Sequence, residues 1–197
     1  MMKRTLSQTI GFLAAAVAIA ALPATGGCKY EARTEKPSGS ASETAPSKEN
    51  VTPYYRGLVE EYQSILAEDP HNLAAIIALG NALYDAGQWK GAIHYYERAL
   101  QINPHSADVM TDMGTCYRNL AMPDKAIATY ERAVSIEPSH QNALFNLGLV
   151  YGQDKKDFRR AIVYWEQLLH IAPKHPQADS IKATLHHYKQ ALRGQAR

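Results

Sequence analysis

Histidine and cysteine are the side chains of this sequence that could bind a metal ion or act as a nucleophile. The chain has eight histidines and two cysteines. His186 and His187 are adjacent, so they would project about 100° apart on a helix, and His170 and His175 are separated by Pro173. No Cys-x-x-Cys or His-Glu-x-x-His spacing occurs. The pattern therefore predicts surface histidines and no metal site.

Other signatures of catalysis or phosphate binding are also missing from the sequence. It has no Gly-x-Gly-x-x-Gly or Gly-Lys-Ser/Thr segment, and no Ser/His/Asp arrangement stands out. A reactive thiol needs a charged, partly exposed setting, whereas Cys116 has only Arg118 nearby, which would not share its helix face. We therefore expect Cys116 to be packed, and the protein to be non-enzymatic and to need no cofactor.

A period of 34 residues organises the elements that carry these side chains. Three glycines recur at this interval: Gly80, Gly114 and Gly148. Three prolines recur with them: Pro70, Pro104 and Pro138. Within one period, apolar residues three to four apart run from Leu73 to Gly87 and again from Trp89 to Ile102, which indicates two helices joined by a tight turn. The chain is therefore predicted to be a stack of helix-turn-helix units.

The recurring glycines fall in the middle of the first helix of each unit. Glycine at such a position costs about 1 kcal/mol relative to alanine, so a packing gain must offset this cost. We expect Gly80 to allow a close approach of the second helix, with the small residues Ala92 and Ala99 facing it.

The three units follow one order of residue types: a bulky residue, Leu-Gly, Tyr, Ala, an aromatic residue, a small residue and Pro, with Leu83 in place of the Tyr and Leu168 in place of the small residue. The matching residues are Ile76, Leu79, Gly80, Leu83, Ala92, Tyr96, Ala99 and Pro104; Met110, Met113, Gly114, Tyr117, Ala126, Tyr130, Ala133 and Pro138; and Leu144, Leu147, Gly148, Tyr151, Ala161, Trp165, Leu168 and Pro173. This order resembles the tetratricopeptide repeat (TPR). The third unit has one extra residue in its turn, for which we expect a slightly splayed helix pair.

The resemblance implies an all-α fold, a right-handed α-solenoid within residues 53–197. Its three TPR units would span about 73–106, 107–140 and 141–175. Before them, Leu58, Val59 and Tyr62 fall at second-helix positions and predict a half-repeat helix. After them, a terminal helix at about 176–193 has one apolar and one polar face, as expected of a cap.

Residues 1–27 resemble a bacterial lipoprotein signal peptide. Lys3 and Arg4 precede an apolar stretch from Ile10 to Leu22, and Thr25-Gly26-Gly27-Cys28 resembles the lipobox. The resemblance implies that Cys28 becomes the lipid-modified (palmitate-bearing) first residue of the mature chain, which two acyl chains would anchor stably. A soluble periplasmic protein and an uncleaved membrane anchor stay open as alternatives.

The lipoprotein resemblance implies a location at the periplasmic face of a cell-envelope membrane. Lys29 follows the cysteine, which favours the outer membrane. Residues 28–52 are rich in Ser, Thr, Ala, Glu, Lys and Pro, and we expect them to form a flexible tether. The formal net charge is +2, and removal of Lys3 and Arg4 with the leader would leave equal numbers of basic and acidic residues. The composition therefore gives no support to a nucleic-acid partner.

In TPR proteins the first helices line a concave groove that binds a protein or peptide. The resemblance places ten residues of this chain there: Ile77, Asn81, Tyr84, Asp108, Thr111, Thr115, Arg118, Asn142, Phe145 and Leu149. A clamp for a terminal carboxylate is not expected, because Arg118 is the only basic residue among them. Alternatively, the terminal helix could cover the groove and use Phe145 and Leu149 as core.

These features together predict a scaffold or adaptor at the bacterial cell envelope. The TPR resemblance includes proteins of pilus biogenesis, outer-membrane assembly and cytochrome c maturation, and the sequence does not choose among them. The alternative is a structural module that self-associates by stacking through its terminal helices, as a homo-oligomer.

Overall fold

The computed structural model describes residues 53–195, in which every regular element is helical. Eight α-helices follow one another in this range: α1 Pro53–Glu68, α2 Leu73–Asp85, α3 Trp89–Ile102, α4 Ala107–Asn119, α5 Pro123–Ile136, α6 Gln141–Leu149, α7 Phe158–Ile171 and α8 Ala178–Gln195. The predicted signal peptide, the tether and Cys28 lie outside the described residues. None of the helices described is both long enough and apolar enough to cross a membrane.

The helices pair as the repeat period predicts. Helices α2 and α3, α4 and α5, and α6 and α7 are antiparallel neighbours, α1 packs on α2, and α8 packs on α7. The prediction of an all-α solenoid with three helix pairs, a half-repeat helix before them and a capping helix after them is confirmed.

The first helix of each pair begins at a side-chain cap, and the caps follow the 34-residue period. Asn72, Ser106 and His140 each accept a hydrogen bond from the backbone N–H three residues later. Such a cap satisfies an N–H group that the helix itself leaves unpaired. The caps therefore fix the starting residue of every first helix.

A residue with positive φ stands in each turn between the paired helices. These residues are Gly87 at 73°, Ala121 at 57° and Lys156 at 56°. The extra residue of the third unit is taken up before this turn, where α6 continues as a π-helical turn over Val150–Asp154. The turn thus keeps its left-handed residue, and α7 starts one residue later in the period.

Each mid-helix glycine makes room for an aromatic ring. A Cβ atom on Gly80 would lie 2.7 Å from Cε1 of Tyr96, and one on Gly114 would lie 2.6 Å from Cε1 of Tyr130. The same atom on Gly148 would overlap the indole of Trp165. This corrects the expectation that Ala92 and Ala99 are the groups facing the glycine, since the nearest atoms belong to the ring. The cost of the glycine is thus offset by the burial of a large side chain.

A second periodic contact joins neighbouring units. Arg98, Arg132 and Gln167, each on a second helix, donate a hydrogen bond to the carbonyl oxygen of the proline that ends the preceding unit. The bonds to Pro70, Pro104 and Pro138 are 2.9, 3.4 and 3.1 Å long. These contacts set the spacing between units, and the first helices are thereby held in a fixed order.

Candidate functional site

The predicted groove residues lie on the first helices α2, α4 and α6, and we call this face the first-helix surface. On α2, Asn81 is exposed while Ile77 and Tyr84 are half-buried. On α4, the side chain of Asp108 is 89% exposed, whereas Thr111 is buried. The third unit is described further below, because its residues have different surroundings.

Asn81 is oriented by the aromatic ring of its own unit. Its Oδ1 atom accepts a hydrogen bond of 2.8 Å from the hydroxyl group of Tyr96. The Tyr96 ring is only 1% exposed and rests on Gly80, so its hydroxyl cannot move far. The Asn81 side chain is exposed, and its amide nitrogen still carries two N–H donors.

Thr115 occupies the corresponding position in the second unit, but its hydroxyl group is fully used. It donates to the carbonyl oxygen of Thr111 at 3.0 Å and lies 3.0 Å from the hydroxyl of Tyr130. It also accepts a long bond of 3.5 Å from Nδ2 of Asn146. Thr115 therefore holds the helices together, and Asn146, which the sequence did not single out, shares this face.

His140 is a buried exception to the predicted surface histidines, with 7% exposure. Its Nδ1 atom accepts the backbone N–H of Ala143 at 3.2 Å, so the ring proton is on Nε2, which lies 2.9 Å from Oδ1 of Asp108. Thr111 lies 3.5 Å from the same Nδ1 atom and donates its hydroxyl to the carbonyl of Ala107. The histidine thus caps α6 and connects it to α4. Its position in the 34-residue period, after Asn72 and Ser106, could have revealed this role.

Three carboxylates on α2 and α4 influence one another electrostatically: Asp85, Asp108 and Asp112. Burial, together with the nearby charges of Asp108 and Asp85, raises the pKa of Asp112 to about 6, while His140 acts in the opposite direction. Burial also raises the pKa of Asp85. This part of the first-helix surface therefore brings several carboxylates under one another's influence.

The raised pKa of Asp112 makes stability depend on pH. Since the folded-state pKa lies above the unfolded one, this carboxyl group favours the folded state most below about pH 4, and that advantage is lost as the pH rises through about 6. We expect Asp112→Asn to increase the free energy of unfolding by about 2–3 kcal/mol at neutral pH, and by little near pH 4. Urea unfolding at both pH values measures this, with the exposed Glu137→Gln as control. An equal gain at both values would contradict it.

Arg118 binds the third unit. Its Nε atom lies 2.7 Å from Oδ2 of Asp154, and its Nη2 atom lies 3.0 Å from the side-chain oxygen of Gln153. Both acceptors belong to the π-helical turn. The basic residue that the groove was predicted to contain is thus neutralised by a bidentate ion pair.

The first-helix surface of the third unit is less accessible than that of the first two units. Leu149 is buried in a cluster with Ile181, Leu185 and Tyr188 of α8. The Phe145 ring lies 5.6 Å from the ring of His175, whose pKa is lowered by burial. Asn142 is exposed at the start of α6. Leu149 and part of Phe145 therefore contribute to packing of the C-terminal end.

The described residues offer no cluster of three or more His, Cys, Asp or Glu side chains placed to hold a metal ion. Cys116 is fully buried, and burial raises the pKa of its thiol, which keeps it protonated and unreactive.

Comparisons with known protein families identify the type of repeat. Two family models, both described as tetratricopeptide repeat, match residues 83–147 and 142–175. Tetratricopeptide repeats are thus detected in residues 83–175. Such repeats are typically non-catalytic modules of protein interaction. No curated protein sequence matches the chain.

Solved structures share this helical fold. One crystal structure of MamA superposes with a TM-score of 0.63 at 24% identity and covers 73% of this chain and 77% of that one. A second MamA structure gives 0.59 at 20% identity, with 72% and 91% covered. YrrB, described as a TPR protein with an unusual peptide-binding site, gives 0.60 at 25% identity, with 66% of each chain covered. The MamA similarity is evidence of the fold alone.

Proposed function

We propose that this chain is a non-enzymatic adaptor that binds a segment of a partner protein on the first-helix surface of its first two units. The observation that carries the proposal is Asn81, an exposed side chain whose amide oxygen accepts from the Tyr96 hydroxyl, which leaves its N–H groups as donors for a partner. The peptide-binding TPR protein YrrB, which has a similar fold, supports a protein or peptide ligand.

The contact surface consists of residues that the fold leaves accessible. Ile77 and Tyr84 flank Asn81 on α2 and offer apolar area, with the exposed Asp108 on α4 and Asn142 on α6 beyond them. Aromatic side chains of this kind supply much of the binding energy in protein interfaces. The contact surface excludes four of the predicted groove residues, because their side chains pack or form hydrogen bonds within the fold: Thr111, Thr115, Arg118 and Leu149.

The mechanism is non-covalent recognition by a preorganised surface. The glycine–aromatic contacts and the bonds to the proline carbonyls already fix the first helices, so the partner segment bears most of the ordering cost. No bond is made or broken, and the chain holds or positions its partner.

For localisation, we propose anchoring at the periplasmic face of a membrane through lipid on Cys28, with the outer membrane favoured. The support is the leader sequence and the lipobox-like Thr25-Gly26-Gly27-Cys28. Pilus biogenesis, outer-membrane assembly and cytochrome c maturation are the candidate settings. Mass spectrometry of the mature N-terminus tests the anchor, and a mature chain that starts at any other residue would refute it.

Capture of the partner from envelope extract tests the adaptor. We expect Ile77→Ala/Tyr84→Ala to recover about tenfold less partner than the unchanged full-length chain, because it removes the aromatic and aliphatic anchors. Ile65→Ala/Tyr54→Ala is a matched control on α1, where Tyr54 is 69% and Ile65 37% exposed. Equal recovery with all variants would contradict the proposal.

Self-association through the terminal helices is the alternative, and the exposed Tyr54 and Ile65 favour it. However, Leu58 and Ile65 occupy the positions that Ala92 and Ala99 hold in the first unit. These larger side chains oppose a continuation of the solenoid by a second copy. Light scattering against concentration distinguishes the two functions, since the adaptor stays monomeric.

A further inference from the structure

The charges of the first helices differ from those of the rest of the solenoid. Helices α2, α4 and α6, with the π-helical turn, carry four aspartates and one arginine and have no lysine or glutamate. The aspartates are Asp85, Asp108, Asp112 and Asp154. Asp154 is paired with Arg118. The second helices α3, α5 and α7 carry mixed charges with a small basic excess, so negative charge is concentrated on the surface proposed to bind the partner.

The other three aspartates lie on the first two first-helices. Asp85 is on α2, which also carries the proposed apolar contacts, and Asp108 and Asp112 are on α4. Asp85 is exposed, Asp112 is half-buried, and the side chain of Asp108 is 89% exposed. After burial, the like charges of Asp108 and Asp85 raise the pKa of Asp112. Among the described residues that influence Asp112, His140 alone lowers its pKa. The pKa of the Tyr96 hydroxyl, which donates to Asn81, is raised by burial and further by Asp112, Tyr84 and Asp85. The surface thus combines a half-buried aromatic ring, an exposed amide and three carboxylates, of which Asp108 also lies 2.9 Å from Nε2 of His140.

We propose that the partner segment is a cationic, extended peptide. Its lysine or arginine side chains would lie against Asp85, Asp108 and Asp112, while an apolar neighbour packs on Tyr84 and Ile77. This inference rests on the proposed function and names its partner class. A cation relieves the repulsion among partly desolvated carboxylates, whereas an acidic peptide would increase it. Anionic ligands are excluded from this surface for the same reason.

The test uses the full-length chain and three fluorescent peptides of equal length. They share the same leucines and glycines and carry lysine, glutamine or glutamate at the variable positions. By fluorescence anisotropy at low ionic strength, we expect the lysine peptide to bind about tenfold more tightly than the glutamine peptide, and the glutamate peptide to bind more weakly still. Added salt should reduce this difference.

Charge-matched variants assign the effect to the first-helix surface. Asp85→Asn/Asp108→Asn should bring the affinity for the lysine peptide down to that for the glutamine peptide. Glu60→Gln/Glu137→Gln changes the net charge equally at exposed sites on α1 and at the end of α5, and it should leave the preference intact. An equal loss in both variants would mean that overall charge attracts the peptide, and would overturn the inference.

The remaining outcomes separate this inference from the proposed function. If lysine and glutamine peptides bind equally and both are lost with Ile77→Ala/Tyr84→Ala, the docking surface stands and the cationic partner is refuted. If the lysine peptide does not bind, or binds unchanged in Ile77→Ala/Tyr84→Ala, the cationic partner on this surface is refuted. In that case, capture from envelope extract still decides the proposed function by itself.

Discussion

Replacing Gly114 by leucine is expected to destabilise the protein by about 3 kcal/mol or more. A Cβ atom there would already lie 2.6 Å from Cε1 of Tyr130, and the Tyr130 ring is fully buried between its neighbours. The ring cannot yield without disturbing α5 and the bond between its hydroxyl and Thr115. Urea unfolding measures the loss. Gly114→Ala should give a smaller loss of the same sign.

Gly57 provides the matched control for this prediction. It lies inside α1, and a Cβ atom there would meet nothing within 4 Å. Gly57→Ala should therefore stabilise the protein by about 0.5–1 kcal/mol, the ordinary gain of alanine over glycine in a helix. An unchanged unfolding midpoint in Gly114→Leu would refute the glycine–aromatic packing.

Trp165→Ala is expected to have a comparable effect at the other end of the solenoid, about 3–5 kcal/mol. The indole is 3% exposed, rests on Gly148 and donates from Nε1 to the carbonyl of Phe145 at 3.1 Å. Its ring also stacks on Tyr188 of α8, with 5.9 Å between centroids. Loss of the indole should weaken both the α6–α7 pair and the attachment of α8.

Two measurements check the Trp165 prediction. Urea unfolding gives the total loss, with Val163→Ala as a control on the same helix, where the 61% exposed side chain should change stability by less than about 0.5 kcal/mol. Hydrogen exchange should show faster opening of α8 than of α2. Unchanged protection of α8 would mean that Tyr188 does not depend on the indole.

The sequence predicts the helix pairs well, because the 34-residue period is the direct trace of stacked units. It also places Tyr96 and Tyr130 on that period, with Trp165 one residue late, but it does not show that these rings rest on the glycines. That contact depends on how two antiparallel helices are aligned. The small residues Ala92 and Ala99 are equally compatible with the sequence pattern as the groups that face the glycine. The π-helical turn is also not predictable from the sequence, since an extra residue can be accommodated either within a helix or in the turn after it.

The candidate site is predictable in its location and less so in its chemistry. The family pattern selects first-helix residues, but the partners of Thr115, Arg118 and Leu149 stand 15 or more residues away in the chain. Burial and hydrogen bonding to such partners remove these side chains from the accessible surface. Similarly, the pKa of Asp112 depends on carboxylates from two helices. These are properties of packing, which a residue pattern does not encode.

Photo-crosslinking tests the central claim, partner binding on the first-helix surface, most directly. Benzoylphenylalanine replaces Tyr84 in one full-length chain and the exposed Tyr54 in another, and each is irradiated in envelope extract. The account predicts a crosslinked partner protein from position 84 and none from position 54. A partner captured from position 54 alone, or only copies of the chain itself from either position, would contradict the account and favour assembly through the terminal helices.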